Sequence, residues 1–123
     1  MYVSSEEYGS ATLSEKVKDL LNPFPPTLHF ARDINAFDIA NYDVVVLDSV
    51  NDLGLELEDF KALKANNPNT AFILVLQHIK SGDFRGGKEW EHEAQIAGTV
   101  SNGVIEIYKN RFGPKGTMNF FEN

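Results

Sequence analysis

The run Val44-Val45-Val46-Leu47, closed by Asp48, constrains the fold of this chain more than any other segment. Four consecutive apolar residues, three of them β-branched, do not follow the in-out alternation of a half-buried strand. They fit a central strand of a parallel sheet, buried on both faces. Parallel neighbours need long crossovers, usually helical, and the flanking sequence supplies them. Met1–Ser4 reads as an opening strand. Thr12 is placed to cap a helix through Leu13, Val17, Leu20 and Leu21, stopped by Asn22-Pro23. Leu28–Ala31 follows as a strand, then a short helical or turn segment around Ile34, Phe37 and Ile39. After Asp48, Leu57, Phe60, Leu63 and Ala65 have helical spacing up to Asn66-Asn67-Pro68, and Ala71–Leu76 is the next buried strand. The spacing predicts a further helix over Lys88–Ile96. Asn102-Gly103 between Gly98–Ser101 and Val104–Tyr108 is a two-residue hairpin signal, and Thr117–Phe121 is the last strand. The expected class is α/β, a mostly parallel sheet flanked by helices in three layers with a C-terminal antiparallel hairpin, in a single domain over 1–123.

Composition narrows the function classes. Of 123 residues, 42% are hydrophobic and 24% charged, a balance that folds and does not suit disorder. The longest apolar runs, Val44–Leu47 and Ala71–Leu76, fall far short of the roughly 20 residues of a membrane span. The absence of cysteine removes disulfides and thiolate metal sites and fits a cytoplasmic protein. The first residues lack the basic start and apolar core of an export signal. A net charge of −7 opposes broad attraction to nucleic acid, so any such contact must be local.

The candidate chemistry lies where strands end. Asp48 follows an apolar strand, at the edge where open α/β sheets bind ligands, and an aspartate there can hold phosphate-bound magnesium. Such a residue also suits an ordinary turn. Glu6 and Glu7 follow the opening strand and can polarise water, or simply sit solvated at a helix start. Gln77 and His78 end the Ala71–Leu76 strand, where a polar group can sense a phosphate or bond a loop. His78, Glu91 and His92 lie on separate elements without ligand spacing, which argues against zinc. Lys109 and Arg111, two residues apart, point the same way in extended backbone. They can reach phosphates across a subunit boundary, or blunt a strand edge. Lys80, Arg85 and Lys88 with Phe84 border the glycine-rich Ser81–Gly87 loop and suit single-stranded DNA.

Taken in order, Tyr2-Val3-Ser4-Ser5-Glu6-Glu7, Asp43 through Ser49, Lys80-Ser81-Gly82 to Gly86-Gly87, Trp90-Glu91-His92-Glu93 and Lys109-Asn110-Arg111-Phe112-Gly113 resemble the RadA/Sms branch of RecA-like ATPases. The resemblance covers nearly the whole chain, and Lys-Asn-Arg-Phe-Gly is its most specific part. It implies that Asp48, with Ser49 nearby, is the Walker B magnesium aspartate and that Glu6 or Glu7 activates water. It implies that Gln77 or His78 is the strand-end sensor, that Ser81–Gly87 faces single-stranded DNA, and that Lys109 and Arg111 act in a neighbouring subunit's site. Magnesium and ATP are the implied cofactors.

One family element is missing from the sequence. A phosphate-binding loop needs Gly-x-x-x-x-Gly-Lys-[Ser/Thr], whose amides wrap the phosphates, and the one Gly-Lys pair, Gly87-Lys88, is followed by Glu89. The resemblance implies that the sequence begins after that unit, leaving a sheet edge to be covered by self-association. The chain is then expected to be a homo-oligomer, or the partner of an intact ATPase, that does not hydrolyse ATP alone. Two other readings stand beside it: a fragment of an active DNA-dependent ATPase, and a receiver-type module phosphorylated on Asp48.

Overall fold

A computed structural model describes residues 1–77 and 87–121, and its contacts divide the chain into two compact units, Met1–Arg85 and Gly86–Asn123. The protein is mixed α/β, with a four-stranded parallel sheet in the first unit and a three-stranded antiparallel sheet in the second.

The first unit runs β1 (Tyr2–Val3), α1 (Ala11–Leu20), β2 (Phe30–Ala31), a 3-10 turn (Ile39–Asn41), β3 (Val44–Asp48), α2 (Leu57–Asn66) and β4 (Ala71–Val75). Its strand order is β2-β1-β3-β4, all parallel. The register sets Val3 beside Leu47 and Leu47 beside Leu74, with Val45 beside Phe72. On that face Val3, Val45 and Leu47 are fully buried, and Phe60 of α2 meets Phe72 edge-on at 5.6 Å. Thr70 fastens the start of β4 by donating its hydroxyl to the Tyr42 carbonyl at 2.8 Å.

The strands and helices form in the expected order, with differences in detail. β2 covers only Phe30–Ala31 of the expected 28–31, and β4, expected to be buried, leaves Ile73 53% exposed. Ser10, not Thr12, caps α1, its hydroxyl accepting from the Leu13 amide at 3.0 Å; it alone has the extended backbone a cap requires. Along α1, Leu13 and Val17 are half-buried and Leu20 is exposed. β3 is buried on one face only. Val45 and Leu47 point into the core, whereas Val44 is 43% exposed, so the β-branched run reflects strand propensity as well as burial.

The second unit contains α3 (Gly87–Glu93), β5 (Ile96–Ser101), β6 (Val104–Asn110) and β7 (Gly116–Asn119), in sheet order β5-β6-β7. The expected helix over Lys88–Ile96 stops at Glu93, because Ile96 already pairs with Asn110. The hairpin forms at Asn102-Gly103, whose φ values of 50° and 78° are the left-handed pair that a two-residue turn requires. Gly103→Ala forces a side chain into that conformation and lowers the unit's stability by about 1 kcal/mol. Thermal unfolding followed by Trp90 fluorescence measures this, and an unchanged midpoint would refute the turn assignment.

Candidate functional site

The topology brings three strand ends together. The chain leaves β1 for β2 on one side and then crosses to β3 on the other, so a switch point opens between β1 and β3, where open α/β sheets bind ligands. Ser4–Glu7 leave β1 there, Ser49–Asp52 leave β3, and Gln77 follows β4.

Asp48 ends β3 half-buried and accepts a short hydrogen bond from the Tyr2 hydroxyl. Tyr2 is paired with Val46, so its ring lies on the same sheet face as Asp48, two residues back. Burial, then the bond to Asp48, then the negative charges of Asp48 and Glu7 push the Tyr2 phenol well above its usual range. Glu7 is half-buried, four residues after Val3. Its Oε2 is closed to solvent and has no hydrogen-bond partner among the described residues, and Lys16 Nζ makes a long ion pair with it at 3.7 Å. Glu6, one residue earlier, is exposed.

Asp52 joins the β3 end to the β4 end. Its Oδ2 accepts from the Ser49 hydroxyl at 2.6 Å and from Gln77 Nε2 at 3.1 Å, while the Gln77 amide donates to Asn51 Oδ1 at 3.2 Å. The buried Ser49 hydroxyl also accepts the Asp52 amide at 3.2 Å. Glu7, Asp48, Ser49 and Gln77 thus share one edge of the sheet. Tyr2, Asn51 and Asp52 belong there too, and strand patterning alone did not single them out. The signal for Asp52 was its position three residues after Ser49, the span of a side-chain turn.

Among the described residues no group of three or more histidines or carboxylates is arranged to hold a metal ion. Magnesium, by contrast, can be held by one or two carboxylates together with phosphate oxygens and water. Asp48 is the carboxylate at the end of β3 that could serve as such a ligand.

In the second unit, Lys109 and Arg111 point the same way, as the extended spacing predicts, and both end on the last turn of α3. Lys109 Nζ donates to the carbonyls of Glu91 and His92, the latter at 3.0 Å, and Arg111 Nη2 donates to His92 at 2.9 Å. Cations satisfy the open carbonyls of a helix C-terminus in this way. The Tyr108 hydroxyl donates to Glu91 Oε1 at 2.9 Å. Burial, then that bond and the Glu91 charge, push Tyr108 up to about 12. The folded chain holds this proton more tightly than the unfolded chain, so the associated stability is whole below pH ~10 and is lost as pH climbs toward about 12. Tyrosinate absorbance should contain a step near pH 12 that Tyr108→Phe removes; an unaltered titration curve would reject the Glu91 contact. Lys88 is exposed in the first turn of α3, and His78, Lys80, Phe84 and Arg85 lie outside the described residues.

No protein-family model, curated protein or solved structure matches this chain.

Proposed function

We propose that the chain is the acid- and finger-bearing part of a RecA-like ATPase core of the RadA/Sms type. On this reading it does not turn over ATP alone, and it works by self-association or beside an intact ATPase in DNA recombination or repair. The observation that carries this reading is the convergence of Glu7, Asp48 and Gln77 on one sheet edge from three separate strands. Bound magnesium would neutralise charge developing on a transferred phosphoryl group. Asp48 would hold it, Glu7 would orient water, and Gln77, fixed by Asp52 and Asn51, would face the terminal phosphate. Lys109 and Arg111 would reach a neighbour's nucleotide, and Lys80–Lys88 would touch single-stranded DNA, which gel retardation at low salt tests.

The amides that grip a triphosphate would come from another polypeptide segment. The test joins or mixes the chain with a strand-loop-helix unit carrying Gly-x-x-x-x-Gly-Lys-Thr and measures phosphate release. Turnover is expected only from the combination. Hydrolysis by the homogeneous 123-residue chain, lost in Asp48→Ala, would overturn the reading.

The order β2-β1-β3-β4 favours a second reading, because doubly wound receiver-type modules share it. Asp48 would then be a phosphate acceptor, and acid-labile phosphate on Asp48 after treatment with a small phosphodonor would establish it.

A further inference from the structure

Each sheet has two edges, and three of the four are blunted. β2 is two residues long and runs into Arg32-Asp33. β5 carries an irregularity at Ala97/Gly98, and the four-residue β7 is preceded by Lys115. Short length, charge and bulges are the devices by which edge strands avoid pairing with other chains. β4 has none of them. Residues 69–77, Asn-Thr-Ala-Phe-Ile-Leu-Val-Leu-Gln, contain no charge, proline or glycine in a chain that is 24% charged.

The backbone of β4 offers its bonding groups in a defined pattern. The Ala71 amide donates to Asp43 and the Val75 carbonyl accepts from Val50, so residues 71, 73 and 75 face β3. Phe72 and Leu74 therefore direct their N–H and C=O groups outward, and among the described residues no strand pairs with that side. Ile73 and Val75 are 53% and 39% exposed on the sheet face opposite α2.

We infer that this edge pairs with β4 of a second copy, antiparallel about Ile73, giving one continuous eight-stranded sheet. This deepens the self-association part of the function proposed above. Phe72 of each copy then lies opposite Leu74 of the other and exchanges both backbone bonds, the register that the outward-facing groups require. Ile73 faces its own copy across the two-fold axis, as an isologous contact demands. Despite the −7 charge of each chain, no charged residue opposes another from 69 through 77, so self-pairing meets no local repulsion. A strand of a different, charged polypeptide would gain no ionic complement here, which favours the second copy.

The register makes the test specific. Ile73→Lys and Ile73→Glu each place like-charged side chains directly opposite, with Cβ atoms about 5 Å apart, at an exposed position where the fold tolerates them. Sedimentation should show a wild-type dimer and a dimer affinity weakened about 30-fold or more in either variant, since like charges juxtaposed at an interface cost several kcal/mol. Mixing the two variants should restore a 1:1 dimer by native mass spectrometry. Ile73→Cys, the only thiol in the chain, should cross-link its dimer on mild oxidation. A monomeric wild-type chain, variants that remain dimeric with native far-ultraviolet dichroism, or charge variants that fail to recombine would each overturn the inference. None of these outcomes touches the ATP turnover test, so the two proposals fail independently.

Discussion

Leu47→Ala should lower the unfolding free energy of the first unit by about 3 kcal/mol, at the lower end of what a fully buried leucine costs. Among the described residues Leu47 is the largest side chain with no exposed surface, and the register sets it between Val3 on β1 and Leu74 on β4. Removing it leaves a void at the centre of the sheet, where three strands must move together to close it. Urea unfolding followed by far-ultraviolet dichroism measures the loss, and an unchanged slope shows that both proteins unfold from the same compact state. Val44→Ala, on the same strand but 43% exposed, is the control and should cost less than about 1 kcal/mol. Equal costs for the two would mean that β3 is not buried on the face assigned to it.

On the proposed reading, Asp48→Ala should reduce ATP turnover of the chain joined to a phosphate-loop unit by about 100-fold or more, because Asp48 would be the group that holds magnesium against the phosphates. Asp48→Asn separates two roles. It retains an oxygen to accept the Tyr2 hydroxyl but not the charge, so normal turnover in this variant would leave Asp48 with only a structural duty. A second readout needs no activity. Because Asp48 contributes to the high Tyr2 pKa both as acceptor and as charge, the Tyr2 phenol should titrate at lower pH in Asp48→Ala. An unmoved Tyr2 titration alongside lost turnover would place the two side chains apart.

The strands and helices were legible because apolar spacing reports the period of each element. The Asn102-Gly103 turn was legible because few residue pairs accept two left-handed conformations. Helix ends were read less well. Ser10 and Thr12 are equally competent caps in isolation, and only the backbone at Ser10 decides between them. The strand ends that gather acids were visible as Glu7, Asp48 and Gln77, but the residues that connect them were not. Tyr2 reaches Asp48 only through the β1-β3 register, and Asp52 reaches Gln77 only because β4 lies beside β3. Those are long-range pairings that local patterns do not contain. Lys109 and Arg111 point together, as extended geometry requires, yet their partners on α3 depend on how that helix packs against the strand.

On the proposed reading, that last arrangement would link ligand capture to helix order. The carbonyls of Glu91 and His92 already hold the ammonium of Lys109, and His92 also holds the Arg111 guanidinium. An anion that recruits either side chain must compete with those carbonyls, and each exchange removes one of the two cations that face the last turn of α3. Occupancy at the cations and order of that turn would therefore oppose each other, each weakening the other by the same free energy.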